Sequence, residues 1–215
     1  MSDFRIKTCV LGGVSTNCYI AYNDRTKEAV ILDPADNAPY IQKKCGELGV
    51  KPSAVLLTHG HFDHILGVPE LCRAIPGLAV YAAGKEAALL ADPQQNLAQA
   101  FGAPPVSLKA DREVRDGDRL SLLGLSWQVI ETPGHTKGSV CYYLPEEAVL
   151  FAGDTLFYES YGRTDFPGGS GRELIDSITR RLFALPDDTM VYPGHGDPTT
   201  IRHEKEYNPI SYYQR

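Results

Sequence analysis

Apolar and polar positions along the first quarter of the chain change at short range. Phe4–Leu11 and Thr16–Tyr22 flank Gly12-Gly13, the pattern of a β-hairpin. Ala29–Leu32 is a short apolar run closed by Asp33-Pro34, which predicts a strand followed by a turn. In Pro39–Leu48 the period lengthens: Ile41, Cys45 and Leu48 recur at helical spacing, and Gly49 stands where a left-handed cap would end the helix. Ala54–Leu57 predicts a buried strand. Ile65–Ile75 predicts a helix stopped by Pro76-Gly77.

The second part of the chain is richer in strands. Leu78–Tyr81 is strand-like, and Lys85–Phe101 reads as helix with a break at Pro93. Arg119–Leu123, Ser126–Glu131 and Ser139–Leu144 follow as strands, then the apolar run Ala148–Ala152. Arg172–Leu185 predicts an amphipathic helix with Leu174, Ile175, Ile178, Leu182 and Phe183 on one face. Thr189–Tyr192 is a last short strand, and Ile201–Tyr207 a short helix near the end. Several consecutive strands in each half, mixed with helices, predict an α/β (α+β) chain whose sheets are covered by helices, not a regular βαβ array. No linker, low-complexity segment or internal repeat divides it, so residues 1–215 are expected to form one domain.

Composition narrows the partners. Hydrophobic residues at 43% and charged residues at 22% are ordinary for a soluble globular protein. A net charge of −6 argues against nucleic acid and anionic membrane as partners. No apolar stretch has signal-peptide or bilayer-spanning length, so a cytoplasmic protein is expected. Cys9, Cys18, Cys45, Cys72 and Cys141 are odd in number and scattered, with no CxxC pair, which predicts reduced, buried thiols.

The chemistry concentrates in Thr58-His59-Gly60-His61-Phe62-Asp63-His64, which holds three of the six histidines. In an extended segment residues 59, 61 and 63 would share a face; in a helix 59 and 63 would align without 61. Only a loop leaving a strand end gathers all four, and Gly60 gives it freedom to turn. Imidazole and carboxylate suit zinc, iron or manganese, and four such groups exceed the needs of one open site, so two metals sharing them is the natural reading. His135, Asp154 and His195 each follow an apolar run and sit beside a glycine, as residues of a site built at sheet ends would.

Thr58–His64, Thr132-Pro133-Gly134-His135-Thr136, Ala152-Gly153-Asp154-Thr155 and Tyr192-Pro193-Gly194-His195-Gly196, in this order, resemble the metallo-β-lactamase superfamily. The resemblance implies an αββα four-layer sandwich of two mixed sheets with its site at one edge. It implies one metal on His59, His61 and His135, a second on Asp63, His64 and His195, and Asp154 bridging them. Zinc is expected first, with iron or manganese as alternatives. Asp33, matching the family's Leu-Asp-Pro motif, would support the ligand loop. Gly153–Phe157 and Gly162-Arg163-Thr164-Asp165-Phe166 further resemble the glyoxalase II branch. That implies hydrolysis of a thioester such as S-D-lactoylglutathione by hydroxide generated on the metals, with Asp63 and Asp154 as the catalytic ligands and Arg163 as a substrate-binding residue. Only 20 residues follow His195 (215 − 195), so the helical glutathione-binding domain of long glyoxalase II enzymes is not expected. The alternative is a persulfide dioxygenase with a single iron on His59, His135 and Asp154. An aspartate rather than a cysteine at the bridging position disfavours a β-lactamase, and a ligand set without cysteine disfavours a structural zinc protein.

Overall fold

The computed structural model describes residues 2–214. Strands β1 (Phe4–Leu11), β2 (Thr16–Asn23), β3 (Glu28–Leu32), β4 (Lys51–Leu56), β5 (Ala79–Ala83) and β6 (Arg112–Val114) form one sheet in chain order. The second sheet has the order β14-β13-β10-β9-β8-β7, from β7 (Arg119–Leu122), β8 (Leu125–Glu131), β9 (Val140–Leu144), β10 (Val149–Gly153), β13 (Met190–Pro193) and β14 (Thr199–Thr200). A small hairpin, β11 (Leu156–Phe157) with β12 (Ser160–Tyr161), lies between β10 and β13 in sequence. Both main sheets are mixed: β3-β4-β5-β6 are parallel in the first, and β10-β13 in the second. Parallel neighbours require a crossover. The helices supply most of these: α1 (Ala38–Leu48), α2 (Phe62–Ile65), α3 (Val68–Ala74), α4 (Ala87–Ala91) and α5 (Gly171–Asp176), before the terminal α6 (Ile201–Tyr207).

Period-two alternation assigns each strand to two apolar layers at once. On β2, Cys18 and Ile20 pack outward with Ile41 of α1 and Leu71 of α3, while Tyr19 and Ala21 face the other sheet. On β10, Val149 and Phe151 join that central layer, and Leu150 and Ala152 pack outward with Leu174, Ile178 and Ile201. Three apolar layers therefore separate four structural ones: helices, sheet, sheet, helices. Trp127, fully buried, stacks on Phe151 in the central layer at 5.7 Å between ring centroids.

Two predicted helices are corrected. Within Ile65–Ile75 the helix is α3 alone, Val68–Ala74, with Ile65 closing α2, because the chain turns at Gly67, whose amide donates to the Pro34 carbonyl at 2.8 Å. A side chain there would collide with that carbonyl. Of Lys85–Phe101 only Ala87–Ala91 is α-helical, preceded by a 3₁₀ turn at Gly84–Glu86. Asp92, before Pro93, is extended, as a residue preceding proline prefers, and Leu97 is left-handed. The Arg172–Leu185 helix widens after α5 into a π-helical stretch, Ser177–Leu182. The five cysteines are unpaired, four of them buried. Among the described residues no helix is long and apolar enough to cross a membrane.

Candidate metal centre

β8, β10 and β13 run in one direction within their sheet, so their C-terminal ends open on the same edge. His135 follows β8, Asp154 follows β10 and His195 follows β13. In the other sheet β3 and β4 run parallel and end in Asp33 and in the loop to His59. Backbone bonds stitch the two edges together: Val140 N to Thr58 O at 2.9 Å, and Asn17 N to Gly194 O at 2.7 Å. His59 and His61 lie on the loop, as anticipated. Asp63 and His64 do not, because α2 begins at Phe62 and carries both in its short helical stretch.

Potential ligand atoms of His59, His61 and His135 lie within 4.8 Å of one another. The same holds for Asp63, His64 and His195, and for His59, His64 and Asp154, which joins the two groups. His135, His64 and His59 each have one nitrogen tied outward, whereas His61 Nδ1 faces His135 Nε2 at 2.9 Å. His135 Nδ1 is 2.7 Å from the Arg163 carbonyl, which can only accept, so Nδ1 carries the proton and Nε2 turns inward. His64 Nδ1 is 3.0 Å from Asp33 Oδ2. His59 Nδ1 is 3.1 Å from Thr58 Oγ1, whose hydroxyl donates to Asp33 Oδ2 at 2.7 Å. Asp33 also accepts the Thr58 amide at 2.8 Å. Fixing the outer nitrogen leaves the inner lone pair free, the preparation a metal-holding histidine needs.

Three of the inward atoms find no partner within the protein. His59 Nε2, His64 Nε2 and Asp154 Oδ1 are buried and unbonded. His64 Nε2 stands 3.4 Å from Asp154 Oδ1 and 3.5 Å from Asp63 Oδ2, while His195 Nε2 stands 3.4 Å from Asp63 Oδ2. These separations exceed the usual N–H···O range of about 2.7–3.2 Å. Leaving a buried polar group unpaired costs about 1–3 kcal/mol, and cations between these atoms would satisfy all of them. The donor set therefore fits divalent metal ions.

Electrostatics splits the cluster. Burial, aided by neighbouring imidazoles, drives His59 well below its ordinary value and His61 down to about 3, so both are neutral and ready to donate a lone pair. His64 and His195 go the other way. Burial opposes their charge, but Asp63 and Asp154 outweigh it and raise His195 to about 9. Those two carboxylates are held ionised by the same imidazoles, again against burial, Asp63 at about 2.

The metallo-beta-lactamase superfamily model matches residues 11–195, which span every candidate ligand. The chain belongs to the metallo-β-lactamase superfamily. That fold binds divalent metals at clusters of histidine and aspartate, and this one carries such clusters. Hydroxyacylglutathione hydrolase GloC of Haemophilus influenzae is 36% identical over 196 residues, covering 90% of this chain and 92% of its own. Among solved structures, BLEG-1 B3 metallo-beta-lactamase superposes with a TM-score of 0.90 at 40% identity, over 96% of this chain and 99% of its own. TTHA1623 in a di-iron-bound form gives 0.84 at 36%, over 95% and 99%. ETHE1 from Myxococcus xanthus gives 0.79 at 32%, over 95% and 83%.

In this superfamily member two glycines let the strand ends close on the site. Gly153 is left-handed with φ +48°, and a Cβ there would run into Thr58; a Cβ on Gly194 would collide with Asp154 Oδ1. Thr16 Oγ1 donates to Asp63 Oδ2 at 2.9 Å. Neither Thr16 nor Thr58 is conspicuous in the sequence. Glu86 is less so, reading as an ordinary surface carboxylate near the start of a helix. It is 1% exposed. Its Oε2 accepts the Gly60 amide at 2.7 Å and its Oε1 the Gly138 amide at 2.8 Å, so one carboxylate ties the His59–His61 loop to the loop after His135. Burial raises its pKa, and the bonds from Gly60, Thr136 and Gly138 oppose that rise.

A cleft of about 450 Å³ opens beside His61, Asp63, His135, Asp154 and His195, and Arg163 lines it with Phe62, Leu97, Phe101, Phe157 and Phe166. Arg163 serves the site through its backbone, as the acceptor for His135. Its guanidinium is engaged elsewhere, with Nε and Nη2 donating to the two carboxylate oxygens of Asp165 at 2.7 and 2.6 Å.

Proposed function

We propose that this metallo-hydrolase family member is a binuclear enzyme that cleaves thioesters, of the kind represented by S-D-lactoylglutathione. The observation that carries the reading is the convergence of unpartnered buried ligand atoms from two overlapping groups beside an open cleft. His59, His61 and His135 would hold one divalent metal and Asp63, His64 and His195 a second, with Asp154 within reach of both groups. Two such ions lower the pKa of bound water towards neutrality and polarise a carbonyl. Zinc is the first expectation, and the di-iron form of TTHA1623 keeps iron in view.

The side chains organise the reaction. Asp33 and Thr58 orient His64 and His59, and the Arg163 carbonyl orients His135. Asp63 and Asp154, held ionised, would balance the positive charge of metal ions bound beside them. The new C–O bond forms at the thioester carbon, the C–S bond breaks, and sulfur departs as thiolate with little need of a general acid. One water and one thioester become one carboxylate, one thiol and one proton. The partner is thus a small-molecule thioester in a cytoplasmic setting, and similarity to GloC at 36% identity supports that class.

A second reading, persulfide dioxygenase chemistry at one iron on His59, His135 and Asp154, is supported by the likeness to ETHE1. Similarity to BLEG-1 adds a β-lactam to the substrates worth assaying. Elemental analysis with a thioester assay tests the proposal. About two metals per chain with thioester cleavage is the expected result. One tight iron with oxygen uptake on glutathione persulfide would replace it.

A further inference from the structure

The cleft beside the metal centre carries a continuous aromatic wall. Phe166 meets His61 edge-on at 5.8 Å between centroids; Phe101 meets Phe166 at 6.0 Å and stacks on Phe62 at 5.4 Å. Leu97 lines the cleft as well. Phe101 is 54% exposed, and Val14, from the β1–β2 turn, is 47% exposed; both line the same cleft. Large apolar side chains left in water around a concave site mark a place where an apolar ligand part is received.

The charges of the cleft lead to the same kind of ligand. Arg163 is its only lysine or arginine among the described residues. That guanidinium sits over the Phe166 ring, its Cζ 3.9 Å from the centroid, and is gripped on two nitrogens by Asp165. An anionic group entering the cleft meets a neutral Arg–Asp pair and must compete with a carboxylate already in place. Glutathione carries two carboxylates, and among the described residues no lining lysine or arginine is free to receive either.

We infer that the preferred substrates are uncharged thioesters with an apolar acyl group, seated on Phe101 and Phe166, and that the Arg163–Asp165 pair selects against anionic thiols. The inference rests on the hydrolase reading above. Water adds to the acyl carbon, the C–S bond breaks, and a carboxylate, a proton and a neutral thiol are released, with no further co-reactant. Asp165 is here a specificity determinant: it reaches the substrate through the charge it cancels on Arg163.

The test is a matrix of kcat/KM values on the metal-loaded enzyme. Acetyl, butyryl and hexanoyl groups are each presented on N-acetylcysteamine, which is uncharged, and on glutathione. The N-acetylcysteamine ester of each acyl group is expected to be preferred. kcat/KM is expected to rise about twofold to fourfold per methylene until the wall is covered. Phe101→Ala should flatten that rise, mainly through KM. Asp165→Asn, which keeps an oxygen acceptor but removes the charge, should shift the glutathione to N-acetylcysteamine ratio about threefold to fivefold towards glutathione. A preference for the glutathione esters, or a ratio that Asp165→Asn leaves unmoved, overturns the inference while leaving thioester hydrolysis standing. Cleavage of no thioester at all overturns the hydrolase reading and this inference with it.

Discussion

Replacing Glu86 by glutamine tests whether one buried carboxylate holds the two ligand loops together. The change is isosteric, so it opens no cavity. It removes the charge and puts an NH₂ group in place of one oxygen, facing either the Gly60 or the Gly138 amide, both now bonded at 2.7–2.8 Å. One charge-assisted bond is lost and a buried N–H is left without an acceptor, together about 2–4 kcal/mol. A domain of this size stable by about 5–15 kcal/mol still folds. The consequence falls on one side of the site: Gly60 lies between His59 and His61, and Gly138 comes three residues after His135. Metal affinity at that trio should fall about 10–100-fold, the range for residues that position ligands. The Asp63, His64 and His195 trio, anchored instead through Asp33 and Thr16, should change little. Stepwise chelator competition on cobalt-loaded protein, alongside thermal unfolding of the metal-free chain, separates the two effects. Equal weakening of both metals, or a lowered Tm with both affinities intact, would refute the positioning role and leave Glu86 as fold support only.

Three other outcomes follow from the same geometry. His59→Ala and Asp154→Ala should each abolish activity by losing metal, read by elemental analysis beside the assay; full activity in either would sink the ligand assignment. Asp33→Ala strips acceptors from Thr58 N, Thr58 Oγ1 and His64 Nδ1, so it should destabilise the metal-free chain by about 2–4 kcal/mol and weaken the second metal more than the first. Metal uptake by the metal-free chain should depend on pH unevenly. His195, raised to about 9, and His64 must shed protons that His59 and His61 do not carry at neutral pH, so affinity of the Asp63–His64–His195 trio should rise from pH 6 to 9 more steeply than that of the trio containing His59 and His61. Parallel slopes for both metals in chelator titrations would contradict this.

Much of this architecture is written locally. β9 and β10 were visible as strands because every residue in them is buried, giving unbroken apolar runs. Where reading failed, a distant contact had overridden a local period. Apolar residues continue at helical spacing through Lys85–Phe101, yet Asn96 is buried, donating to the Val106 carbonyl and accepting from the Ala98 amide, and those bonds replace helical ones. β6 escaped notice because Arg112 and Glu113 are exposed and its pairing to β5 is the feature that defines it. The candidate ligands were legible for a different reason: imidazole and carboxylate at strand ends beside glycine are unusual wherever they fall. Their supports were not. Thr16, Glu86 and the Arg163 carbonyl act through positions that only the folded chain brings near, and nothing in their residue types distinguishes them. The pairing of Arg163 with Asp165, two residues away, could have been suspected from the sequence; its place on the cleft wall could not.

The central claim is that two metals on these seven side chains cleave a thioester. It is tested most directly by titrating the metal-free protein with zinc, and separately with iron, while following thiol release, acid formation and oxygen consumption together. The account predicts activity that rises to a plateau at two metals per chain, with acid and thiol formed one to one and no oxygen consumed. Activity complete at a single iron, with oxygen consumed on a persulfide and no thioester cleaved, would contradict it.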